Sequence, residues 1–196
     1  PHTPVISGDV VSFLLDFIED NENIVPTPIE LSIIYEDEYY LVINKPAGIA
    51  VHPSHLHYNN SLSNGVRFYF DQIPLNKKIR IVNRLDRNTS GLVIFAKNEY
   101  IQECLIKQMQ QKTFQKEYLA IVHGTLDSIQ GTIEAPIARK ENSIIERCVS
   151  PSGKNAITHY HVLEKGNSLS LIKLHLETGR THQIRVHCKY IGHPIL

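Results

Sequence analysis

Residues 92–96, Leu-Val-Ile-Phe-Ala, form an uninterrupted apolar run behind a turn-forming stretch, Asp86-Arg87-Asn88-Thr89-Ser90-Gly91. Such a short run without a polar break predicts a strand buried inside a packed sheet, so the chain must supply strands to pair with it. Candidates recur. "YYLVINKP" reads as a strand stopped by Pro46, which has no amide hydrogen for a ladder. "KPAGIAVHPS" follows as a Pro/Gly loop. "TFQKEYLAIVHG" alternates, with Phe114, Lys116, Tyr118, Ala120 and Val122 on one side and Leu119 and Ile121 on the other. Further strands are expected at 131–136, 156–164 and 169–177.

Helices are expected in three places: at 61–71; from an N-cap at Asn98 to about Gln111, where Ile101, Leu105 and Met109 repeat at i, i+4 and i+8; and over "THQIRVHCKYIG". The last has Ile184, Cys188 and Ile191 on one face, Thr181 as the expected N-cap, Gly192 just past its end and Pro194 beyond. Strands predominate and do not alternate regularly with helices. The expected fold is therefore mixed α+β, with a largely antiparallel central sheet flanked by helices and loops. Residues 1–30, Pro-rich and ending in "IVPTPIE", read as an arm or linker, and 31–196 as the domain. Periodicity leaves the apolar patch "VVSFLLDFI" open between strand and helical turn.

At 42% hydrophobic and 20% charged residues the chain has the composition of a folded protein. Twenty Lys plus Arg cancel twenty Asp plus Glu, so any anion-binding face must come from segregated charge. Acids crowd residues 16–38, whereas Lys77, Lys78, Arg80, Arg84 and Arg87 have only Asp86 among them. A solvated surface of mixed sign accounts for those runs as well. Cys104, Cys148 and Cys188 show no C-x-x-C spacing, which points to a reducing compartment without a disulfide or zinc framework. The pairs His55/His57 and His159/His161 are weak metal signals, and no H-E-x-x-H occurs. No apolar stretch has membrane-spanning length and no signal peptide is recognised, so a cytoplasmic protein with no membrane partner is expected.

Asp86 is the only carboxylate in "NRLDRNTSGL", and its neighbours are basic. Cationic surroundings favour the ionised form, which suits a nucleophile better than a proton donor. A second reading stays open: Asp before a turn commonly caps backbone amides. Likewise "GRTHQIR" can be a solvated helix start, and Tyr118 a half-buried core aromatic.

Together, "KPAGIAVHPS", "NRLDRNTSGLVIFAKN", "QKEYLAIVHG", "SGKNAITHY" and "ETGRTHQIRVHCKYIGHPI" resemble, in order, the motifs of the RluA-type pseudouridine synthases, which isomerise uridine in ribosomal and transfer RNA. The resemblance covers about residues 33–196. It implies that family's catalytic fold, with an active-site cleft across the sheet, and RNA, ribosomal or transfer, as the partner of a monomeric enzyme. It also implies residue roles: Asp86 as the nucleophile, Arg84 entering the RNA where the target nucleotide has left, Tyr118 stacking on the uracil, Arg185 pairing with the catalytic carboxylate and Ile184 packing beside the base. Leu85 with Ile184 and Tyr118 would then keep the base dry. Arg80, Arg87, Lys77 and Lys78 become candidates for RNA backbone contacts.

The implied reaction breaks the N1–C1′ bond, turns the base and rejoins it through C5. No electron is gained or lost and no water is consumed, so no cofactor and no metal are expected. Departures from the family pattern are Asn83 for a common His and Asn88 for a common Asp. The sequence also stops at "GHPIL" before the usual G-D-x-x-Y segment, so the domain is expected to lack its C-terminal end. The rival readings are a non-catalytic RNA-binding protein of the same fold and a His-rich metal hydrolase.

Overall fold

The computed structural model describes residues 4–12, 19, 21, 23–54, 57–73 and 75–196. Most of the apolar patch at 10–18, and His55 of the first H-x-H pair, lie outside the described residues. The chain divides into two units, Pro1–Ile106 and Lys107–Leu196. Among the described residues every strand pairing is antiparallel, as expected, and is distributed over two four-stranded sheets and a two-stranded ribbon.

The first unit holds β1 (Ile33–Glu36), β2 (Tyr40–Lys45), α1 (Leu62–Gln72), β3 (Arg80–Ile81) and β4 (Gly91–Ala96), in sheet order β1-β2-β4-β3. β2 stops at Pro46 as its sequence requires, and it opposes β4 from Tyr40–Ala96 to Lys45–Gly91. The apolar run in β4 is not buried on both faces. Val93, Phe95 and Ala96 are buried, whereas Leu92 is 55% exposed, because the pleat turns alternate side chains away from the core. Leu41, Ile43, Val93 and Phe95 from the sheet join Leu62, Val66 and Phe70 of α1 in one cluster. The i, i+4, i+8 spacing of those three aims a single helix face at the sheet. The start of α1 is fixed by Asn64, whose Oδ1 accepts the Ser61 backbone N–H at 2.9 Å.

The division between units falls within α2 (Glu99–Gln110), capped as expected by Asn98, whose Oδ1 accepts the Ile101 N–H at 2.9 Å. The second unit holds β5 (Glu117–His123), β6 (Gln130–Glu134), β7 (Ile137–Arg139), β8 (Arg147–Val149), β9 (Ile157–Lys165), β10 (Leu169–Leu176) and α3 (Gln183–Tyr190). Its main sheet runs β5-β10-β9-β6, and β7 pairs with β8. β5 begins at Glu117, later than its pattern suggests, and shows the expected two faces: Tyr118, Ala120 and Val122 inward, Leu119 and Ile121 exposed. Cys188 packs with Val122, Leu126, Val162, Ile172 and Leu174, bordered by Ile184 and Ile191.

The N-terminus of α3 differs from expectation. The N-cap is His182, in the left-handed region at φ 59°, not Thr181. Buried Gln183, the first residue of the helix, ties it to the preceding loop and to β9: its Oε1 accepts the Arg180 N–H and the Thr178 hydroxyl, both at 2.9 Å, and its Nε2 donates to Ile157 O and Thr158 Oγ1, both at 3.0 Å. No helix among the described residues is long and apolar enough to cross a membrane.

Candidate active site

Asp86 lies on the connection from β3 to β4. Past Ile81 the Val82 N–H still donates to Ile94 O at 2.8 Å. At Asn83 the side chain takes over the pairing: Nδ2 donates to Leu92 O and Oδ1 accepts the Ile94 N–H, each at 2.9 Å. The Asn that departs from the family's usual His is therefore committed to the sheet. Beyond it the loop is free of the ladder, and the Thr89 N–H closes a turn on the main-chain carbonyl of Asp86 at 3.0 Å. Gly91 re-enters β4 at φ +128°, a backbone conformation that L side chains rarely adopt.

A second loop braces the first. Lys45 closes β2 fully buried, and its Nζ donates to the carbonyls of Pro46 (2.8 Å), Ile49 (2.9 Å) and Arg87 (3.0 Å). Those bonds use all three ammonium protons. The Gly48 N–H adds another to Arg87 O at 2.8 Å, so the residue next to Asp86 is clamped from the "KPAG" turn by two donors. Burial pushes the Lys45 pKa down, and the negative charge of Asp86 works against that shift. Lys45 had no role in the sequence reading. Its signal was there, a lysine ending an apolar strand directly before Pro-Ala-Gly.

Around this loop Arg84 and Arg87 are exposed, Asp86 is half-buried, and Leu85 packs partly buried against the core of the first unit. Arg87 Nη1 lies 3.4 Å from His57 Nε2. Since arginine only donates, Nε2 accepts, and His57 Nδ1 carries the proton that meets Asn60 Oδ1 at 3.2 Å. Lys78 is exposed and Lys77 half-buried. Arg80 is placed differently from a surface cation: it is 7% exposed and its guanidinium grips both carboxylate oxygens of Glu19. That bond, above all, holds the Glu19 pKa below the usual carboxylate value.

In the second unit Tyr118 and Ile184 border the same core cluster from β5 and α3, and Arg185 is exposed on the next position of the helix. The orientation of α3 is set by a buried polar chain. His187 Nε2 faces Ala135 O at 2.9 Å, and a carbonyl can only accept, so Nε2 carries the proton. Its Nδ1 then accepts from Thr158 Oγ1 at 2.9 Å, while that oxygen accepts from Gln183. Burial lowers the His187 pKa, in keeping with a neutral ring.

His159, from the other H-x-H pair, is held by Glu177 (2.6 Å) and Thr132 (2.8 Å). Glu177 sits at a pKa of about 2, chiefly through its bond to Lys112 and then that to His159. No group of three or more His, Cys, Asp or Glu among the described residues is arranged to hold a metal ion.

The family model for RNA pseudouridylate synthases matches residues 39–190. Relatives include an uncharacterized RNA pseudouridine synthase of Bacillus subtilis, YlyB, 44% identical over 88% of this chain and 58% of its own length. Another is the ribosomal large subunit pseudouridine synthase D of Vibrio cholerae, 39% identical over all of this chain and 60% of that protein. The chain thus spans about three fifths of the length of these curated relatives. Among solved structures, human RNA pseudouridylate synthase domain containing 1 superposes with a TM-score of 0.70 at 29% identity, over 85% of this chain and 67% of that one. With the match extending through both units and containing the Asp86 loop, β5 and α3, the chain belongs to the RNA pseudouridylate synthase family, in its RluA/RluD-type branch.

Proposed function

We propose that this chain carries the catalytic part of an RNA pseudouridine synthase that isomerises uridine in a structured ribosomal RNA, with Asp86 as the catalytic group. The observation that carries the reading is the family match over residues 39–190, a span that includes the Asp86 loop, which Lys45 and Gly48 brace from behind. Ribosomal RNA is the proposed substrate class because relatives named ribosomal large subunit pseudouridine synthase D align over the whole chain. In this reading the protein works in the cytoplasm as a monomer, with RNA as its partner.

An ionised carboxylate serves each route that opens the glycosidic bond: attack at C1′, attack on the base, or removal of a sugar proton. Each demands that the uridine leave its stack, at a cost of a few kcal/mol. Arg84, exposed at the loop tip, is proposed to fill the vacated position with its planar guanidinium. Tyr118 is proposed to stack on the uracil, Ile184 and Leu85 to exclude water, and Arg185 to direct the carboxylate. Lys77, Lys78 and Arg87 are proposed to meet RNA phosphates, whereas Arg80, committed to Glu19, is left out of that set.

The test is a map of pseudouridines in RNA from cells that lack the protein. At least one position is expected to disappear, to return with the wild-type gene and to stay absent with Asp86→Asn. An unchanged map, or full restoration by Asp86→Asn, overturns the reading.

A further inference from the structure

In the second unit a recess of about 460 Å³ opens between the β7-β8 ribbon, the "SGK" turn after β8 and the loop that leads into α3. Four cationic side chains line it: Arg139, Arg147, Lys154 and Arg180. None forms an ion pair with a carboxylate among the described residues. Arg147 Nη1 is buried and has no hydrogen-bond partner among the described residues. An unsatisfied guanidinium N–H favours the arrival of an anion beside that side chain.

The recess is built rather than incidental. Lys154 exchanges both backbone hydrogen bonds with Ile137 of β7, each at 3.0 Å. Gly153 lies so close that an added Cβ would fall 2.5 Å from the Ile137 carbonyl carbon. Arg180 is steadied by its Nε, which donates to Asn155 O at 2.9 Å, and both Nη groups stay available. The lining contains no carboxylate that would repel an anion, and no aromatic ring on which a base would stack. Its volume exceeds what one phosphate needs and falls in the range of small-ligand sites, roughly 300–1,000 Å³.

The geometry points to a subsite for the sugar-phosphate backbone of an RNA strand, with a phosphodiester held by Arg147, Lys154 and Arg180. This inference rests on the proposed function in one respect, that the strand belongs to the RNA substrate. It identifies residues outside those that the uridine chemistry uses.

The test measures RNA affinity against salt concentration in the Asp86→Asn protein, in which turnover is arrested, and in the same protein carrying Arg147→Gln or Lys154→Gln. Each added substitution is expected to weaken binding roughly tenfold and to flatten the dependence of log K on log salt by about one, the signature of one lost phosphate contact. Lys154 is exposed, so its variant keeps the test valid if Arg147→Gln fails to fold. Unchanged affinity and slope in both variants overturn the inference. So does tight binding of uridine monophosphate that Lys154→Gln abolishes while RNA binding stays intact, which would assign the recess to a free nucleotide. Wild-type pseudouridine formation is assayed alongside. If pseudouridine forms and neither variant changes binding, the subsite fails and the enzyme stands. If none forms while both variants bind RNA more weakly, the subsite stands and the enzyme fails.

Discussion

Lys45 joins two sequence-distant loops through a single ammonium group. It ties the turn after β2 to the residue following Asp86, and it places a buried positive charge close enough for Asp86 to affect its protonation. Lys45→Met keeps the volume and removes the charge and the donors. The Arg87 carbonyl then retains only the Gly48 amide, and the Asp86 loop loses its main anchor. The variant is expected to lose roughly 1–3 kcal/mol of stability, read by denaturant unfolding, and at least tenfold in single-turnover rate. A wild-type rate would show that the anchor does not position the carboxylate. Arg80 shows what a sequence does not display along its length. In sequence it looks like one more cation in a basic run, because Glu19, which binds it, lies 61 positions away. Charge patterning along a chain cannot register a partner that only folding brings near.

At the scale of elements, what could be read was what has a period. β2, β4, β5, β9 and β10 carry alternation or apolar runs, α2 and α3 show a repeat near 3.6, and all appear close to their expected places. β1, β3, β7 and β8 have two to four residues each, too few to establish any period, and none was anticipated. The start of α3 differs by one residue because local capping rules favour Thr181, whereas the helix begins after His182, at the buried network through Gln183. That network makes its own prediction. Thr158→Val removes the hydroxyl between Gln183 and His187 while keeping its shape, leaving His187 Nδ1 without a donor and Gln183 Nε2 with only its bond to Ile157 O. Stability is expected to fall by roughly 1–3 kcal/mol, with α3 amides exchanging faster with deuterium. Unfolding at the wild-type denaturant midpoint would mean that packing alone holds the helix.

Across these 196 residues the formal charge is zero, so in the proposed function attraction to RNA has to come from local clusters. The first unit offers Lys77, Lys78, Arg84 and Arg87; the second offers the cationic recess. The catalytic role proposed for Asp86 comes only from the resemblance of its motif, since a lone Asp before a turn is equally good capping chemistry. The structure adds the brace behind that loop. The most direct test is tritium release from RNA labelled at uridine C5, compared between wild type and Asp86→Asn at matched RNA occupancy. Wild-type protein is expected to release tritium and form pseudouridine, while Asp86→Asn binds the RNA within about threefold of wild type and releases none above background. Release by Asp86→Asn at the wild-type rate would contradict the assignment of the chemistry to this carboxylate.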